Sequence, residues 1–195
     1  MPYVEPIDRA ESSEHEPLFE LVEQAMGFLP NSILTMARVP GLAPAFATLA
    51  GTIQTTSLLD PGTVQLVAHV ASRSAGCRYC QAHTAEQAVH RGVEADLIEH
   101  VWEFETDERF SAARRAALRL ARDAAQVPNV VGPEHFADLA DHYDEDQIAA
   151  LVAVVSLFGF LNRWNDTMAT ALEEAPARFA GRHLSDRGWT VGKHA

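Results

Sequence analysis

Gly76-Cys77-Arg78-Tyr79-Cys80-Gln81-Ala82-His83-Thr84 closes one helical pattern and opens another. Upstream of it, Leu66, Val67, Val70 and Ala71 recur at helical spacing, and downstream Ala85, Ala88 and Val89 continue such a stripe to a stop at Gly92. Glycine takes the left-handed conformation that ends helices, so Gly76 predicts a helix over about 61–75 and a second one starting at Cys77 or Arg78. Asp60 is placed to cap the first of these and Pro61 to occupy its first position.

Both cysteines of the chain lie in this stretch, three positions apart, and therefore on one side of the second helix. A thiol in a first helical turn sits among unpaired N–H groups at the positive end of the helix dipole, which favours thiolate over thiol. His83, three residues after Cys80, lies one turn on and can take up or return a proton. Arg78 beside Cys77 can favour thiolate or meet an acidic partner. Two other readings fit the same residues. The cysteines can be small apolar packing, or Cys77, Cys80, His83 and His69 can hold a structural zinc ion. Against zinc, such sites usually draw ligand pairs from two separate knuckles.

Outward from this centre the same periodicity predicts helices from Pro17 to Gly27, from Asn31 to Ala37, from Ala45 to about Thr55, and over 94–104, 111–126, 133–142, 145–172 and 176–181. No stretch alternates with period two long enough for a strand, so the class is all-α. Residues 1–16, with Glu5, Asp8, Glu11, Glu14 and Glu16 among small and polar groups, read as a loosely held acidic arm before a single helical domain over 17–195. Within that domain Leu66-Val67-Ala68-His69-Val70 resembles Leu151-Val152-Ala153-Val154-Val155. The match suggests two copies of one helical unit, at about 58–92 and 143–177, with Asn162 set against Cys77 and Asn165 against Cys80.

Composition narrows the function. The formal charge is −12 and the one lysine is Lys193, so a phosphate backbone or an anionic membrane is an unfavourable partner. With no apolar run judged long enough to cross a bilayer and no leader pattern, the expectation is a cytoplasmic protein. Two cysteines make no disulfide scaffold, and a close pair in a reducing compartment points to catalysis.

The cysteine motif following a Leu-Val-Ala-x-Val-Ala-Ser helix, with Pro30-Asn31, the Pro40 turn, Asn162-Arg163 and the closing Gly188-Trp189 and Gly192-Lys193-His194, resembles the peroxidase-related branch of the carboxymuconolactone decarboxylase and alkylhydroperoxidase D superfamily. The resemblance covers the chain from about residue 20 onward. It implies an all-helical fold, often of two related halves, assembled into dimers, trimers or hexamers, and working without a cofactor. It also implies a thiol peroxidase in which Cys80 attacks a hydroperoxide to become a sulfenic acid, and Cys77 supplies a proton and closes the disulfide. An external thiol or disulfide reductase then restores the pair. The family's relay places a glutamate twelve positions before the first cysteine, where this chain has Gln65, and its histidine four after the second, where this chain has His83 at three. His69, one turn from Gln65 toward the thiols, is expected to share proton traffic with His83, with Gln65 orienting one of them or a water. The alternatives are a cofactor-free decarboxylase of the same fold and a non-catalytic, zinc-stapled binding protein.

Overall fold

A computed structural model describes residues 1–195, which form ten α-helices and five short 3-10 turns, with no strand. The helices are α1 (Glu16–Met26), α2 (Asn31–Met36), α3 (Leu42–Gln54), α4 (Pro61–Ser74), α5 (Arg78–His90), α6 (Ala95–Glu99), α7 (Ala112–Ala124), α8 (Pro133–Ala140), α9 (Glu145–Met168) and α10 (Glu174–His183).

Helix α4 is the axis of the molecule. Every residue from Gly62 to Ser72 is buried, and the helix packs against α5, α7 and α9. Its start is fixed as the sequence suggests: the Asp60 carboxylate accepts the Thr63 N–H at 2.9 Å, and Pro61 opens the first turn. The helix can be buried on all sides because its apolar side chains, each worth about 1.5–3 kcal/mol when buried, alternate with Gly62, Ala68, Ala71 and Ser72, which let neighbours approach. Gly76, at φ +79°, makes the turn to α5.

Three boundaries differ from the periodicity by more than two residues, the first being α3, which begins at Leu42 after Gly41 at φ +80° rather than at Ala45. The pattern over 94–104 is a short α6 followed by a 3-10 turn at Val101–Glu103. Helix α9 stops at Met168 rather than 172, because Ala169 turns left-handed at φ 49° and α10 restarts at Glu174. Residues 169–173 thereby become a connector, and this places Glu173 in the interior.

The acidic segment before α1 is seated rather than loose. The Tyr3 N–H donates to the Met168 carbonyl at 2.9 Å and the Ile7 N–H to Leu34 at 3.4 Å, while Arg9 pairs with Glu16 and Glu23. Its composition is that of a tail, but a few backbone bonds and Ile7 against the core are enough to hold it.

Helix α9 has 24 residues and an 18-residue window of mean hydropathy 1.4, which by length and composition alone is apolar enough to cross a bilayer, contrary to the sequence expectation. One side of it is core, with Leu151, Val154, Val155, Leu157 and Phe158 buried against the other helices. Its other side leaves Val152 and Phe160 40% exposed. The helix runs unbroken through Leu161, the position that the internal match sets against Gly76, so the thiol turn has no counterpart in the second stretch.

Candidate active site

Cys77 is the N-cap of α5, its Sγ accepting the Cys80 N–H at 3.3 Å. The second cysteine therefore sits in the first turn with its backbone tied to the sulfur of the first. Both thiols are free. Cys77 is fully buried and Cys80 is 3% exposed, but Cys80 lines a cavity of about 320 Å³. Helices α1, α3, α5 and α9 bound this cavity, with Phe46, Phe158 and Leu161 on its walls and the exposed Leu21 and Arg91 at its rim. A small apolar molecule entering past that rim meets Cys80, not Cys77.

Burial pushes the Cys80 thiol well above the usual cysteine range, and the hydrogen bond and charge of Cys77 push the same way. The Asn165 amide, donating to Cys80 Sγ at 3.5 Å, works against this. Desolvation thus outweighs the helix dipole that the sequence suggested would favour thiolate. Asn165, aligned with Cys80 by the internal match, also touches it in space.

His83 lines the same cavity. Its Nε2 lies 2.6 Å from Glu173 Oε2, and its ring stacks on Tyr79 with centroids 4.3 Å apart. Glu173 also accepts the Tyr79 hydroxyl at 2.8 Å and the Asn31 N–H at 2.5 Å. Burial alone raises the Glu173 carboxyl, yet hydrogen bonding and charge from His83, with Asn31 and Tyr79, leave it below the ordinary glutamate range. A largely shielded carboxylate, its side chain 13% exposed, therefore orients the histidine, and sequence reasoning missed it. Glu173 stands in what reads as the end of a helix, beside Glu174, with no periodicity or motif to mark it. It meets His83 only because Ala169 stops α9.

The relay expected from the sequence is only partly assembled. Gln65 lines the thiol cavity and donates its amide to Gln54 Oε1 at 3.4 Å. His69 does not join it there. Its Nδ1 lies 2.9 Å from Thr84 Oγ1, and its ring faces a second cavity together with Arg73 and Arg78. Although Gln65 and His69 are one turn apart on α4, α5 packs across that helix and leaves them on different sides. Complete burial, with the nearby charge of Arg73, lowers the His69 pKa to about 4, so the ring is neutral near pH 7 rather than titrating there as expected. The four residues considered as zinc ligands do not gather round a common point. The trio of such side chains close enough to share an ion is Asp96, Glu99 and His100, on the surface away from the thiols.

Residues 40–123, spanning α3 to α7, match the model of the carboxymuconolactone decarboxylase family. A solved structure of the debrominase Bmp8, a cysteine-to-alanine variant in complex with 2,3,4-tribromopyrrole, is 35% identical with a TM-score of 0.86, covering 92% of this chain and 96% of that one. The chain belongs to the carboxymuconolactone decarboxylase family. Family membership is accompanied by the same fold in an alkylhydroperoxidase core protein, a peroxidase-related protein from Ralstonia eutropha JMP134, at 18% identity and a TM-score of 0.80 over 92% of this chain and 95% of that one. The Escherichia coli (strain K12) protein YnjA is 28% identical over 112 residues, which are 57% of this chain and 62% of its own length.

Proposed function

We propose that this family member is a dithiol oxidoreductase in which Cys80 reduces a small, largely apolar hydroperoxide and Cys77 resolves the product as a disulfide. The observation that carries the proposal is Cys80 on the wall of an apolar cavity, with its N–H bonded to the Cys77 sulfur and His83–Glu173 on the same wall. In this reading the Cys80 thiolate takes the distal oxygen of ROOH, and the alkoxide that leaves is protonated to ROH by the His83 imidazole, oriented by Glu173. Cys77 attacks the sulfenic acid, water leaves and the disulfide forms. The balance is ROOH and two thiols giving ROH, water and one disulfide, and an external thiol or disulfide reductase returns the pair.

A second reading, reductive dehalogenation of a small aromatic ring, is favoured by the cavity's apolar walls and by the 35% identity to a debrominase. There Cys80 removes the halogen, a proton replaces it on the ring carbon, and Cys77 displaces halide as the disulfide forms. A lactone decarboxylase acting on a dicarboxylate fits less well, because the cavity's lining holds a single arginine, Arg91 at the rim, and no lysine.

The test is to offer one equivalent of cumene hydroperoxide or of a brominated pyrrole to the reduced protein and count thiols and products. The expected result is loss of both thiols together, with cumyl alcohol released, and no such loss in Cys80→Ser. Consumption of the pyrrole alone, with bromide released, replaces the first reading with the second. Intact thiols after both reagents overturn both.

A further inference from the structure

The second cavity, of about 280 Å³, lies beside α5 where Arg78 and Gln81 face outward, away from the side that carries Cys80, His83 and Gln87 to the thiol cavity. Its walls hold three arginines, Arg73, Arg78 and Arg187, and two tryptophans, Trp102 and Trp189. In a chain of net charge −12 this concentration of positive charge stands out. Elsewhere most arginines are matched by acids: Arg109 with Asp96 and Asp107, Arg119 with Glu105 and Asp138, Arg122 with Glu105 and Asp123.

In this cavity the matching is incomplete. Arg187 pairs with Glu103 at 2.9 Å, and Arg78 donates to the Gly188 carbonyl at 3.0 Å. The half-buried Arg73 side chain has no ion pair and no hydrogen bond, and its guanidinium lies 4.8 Å over the Trp102 ring. Burial depresses its pKa, and the charges of Arg187 and Arg78 depress it further, more than Glu103 compensates. Like charges held together without a counterion are costly, and an anion in the cavity removes that cost. A separate observation points the same way. Gln81 is only 4% exposed, lines the cavity, and makes no side-chain hydrogen bond within the protein. Its amide opens onto the cavity and is held by no protein partner, so it is free to hydrogen-bond what enters there.

We infer that this cavity is a binding site for a small organic anion, a carboxylate or a phosphate, clamped by Arg73 and Arg78 and hydrogen-bonded by the Gln81 amide. Guanidinium forks suit both oxyanions, and Trp102 and Trp189 offer apolar flanks for the body that carries the charge. The neutral His69 beside the arginines adds no further positive charge. The site is independent of the thiol chemistry and stands whether or not that chemistry is confirmed.

Tryptophan fluorescence of the intact protein, titrated with inorganic phosphate and separately with citrate at constant ionic strength, tests the inference, since Trp102 and Trp189 are on the walls. The expected result is a saturable change with at least one of the two anions, weakened tenfold or more in Arg73→Gln and also in Arg78→Gln. Saturation by phosphate alone identifies a phosphate site, and by citrate alone a carboxylate site. The inference is overturned if neither anion saturates, or if the variants bind as the parent does. Should Arg73→Gln fail to fold, Arg78→Gln and a ligand-dependent rise in the parent's Tm give the same decision.

Discussion

At the scale of single residues the site is governed by what burial does to ionisable groups. Cys80 is held as a thiol by desolvation, and Asn165 supplies the opposing hydrogen bond. Replacing Asn165 with Val is expected to slow iodoacetamide alkylation of Cys80 at pH 8 by roughly three- to tenfold, the effect of losing one ordinary hydrogen bond of about 1 kcal/mol; an unchanged rate would remove Asn165 from the chemistry. In the proposed mechanism Glu173 acts through His83, to which it is hydrogen-bonded. Glu173→Gln is expected to lower turnover by roughly 10- to 100-fold and to alter the pH profile of kcat/KM, whereas an unaltered profile would reduce the carboxylate to a structural partner. His69 has a different consequence. Its pKa is lowered to about 4 in the folded state, against an unfolded value of about 6.5, so between these values the unfolded chain binds a proton that the folded one does not. Stability therefore falls as pH drops from about 6.5 to 4, by at most roughly 3 kcal/mol from this residue, and is unaffected by it above that window. Urea unfolding at pH 7.5 and 4.5 is expected to show a larger acid loss for the parent than for His69→Gln.

At the scale of elements the thiol turn is a helix start. Cys77 occupies a position that Ser, Thr, Asp and Asn normally hold, and its sulfur does their work by accepting the Cys80 N–H. Cys77→Ser is expected to leave stability nearly unchanged while abolishing disulfide formation, and Cys77→Ala to cost about 1 kcal/mol. Equal stabilities of the two variants in urea would show that the sulfur does not cap. Most element boundaries were legible because they rest on local signals: Pro17 and Gly27 at the two ends of α1, Asp60-Pro61 before α4, Gly76 between α4 and α5. The stop at Ala169 was not legible, since an alanine in the left-handed region carries no composition signal and is imposed by its surroundings. Glu173 went unrecognised for that reason.

For the whole molecule, the outer side of α9 is only partly covered within the chain, by α3. Phe160 stacks on Phe46 and Trp164, and with Leu49 and Ile53 it leaves an apolar strip along α3 and α9. A second copy of the chain is the proposed cover, in keeping with the oligomer expected from the family resemblance. Light scattering after size exclusion is expected to give a multiple of 21.3 kDa for the parent and a smaller species for Phe160→Glu with Leu49→Glu. A monomeric parent would leave the strip for another partner.

The sequence by itself determined the helical class, nearly every helix, and the place of the two cysteines at the start of one of them, because helical periodicity and capping are short-range effects carried by neighbouring residues. Tertiary structure alone decided which side chains share the site. Gln65 and His69 are adjacent on one helix face yet look into different cavities, while His83 and Glu173, far apart in the chain, are hydrogen-bonded. The reason is that helix crossings, not sequence spacing, set which faces meet, and desolvation at those crossings fixes the charge each group carries.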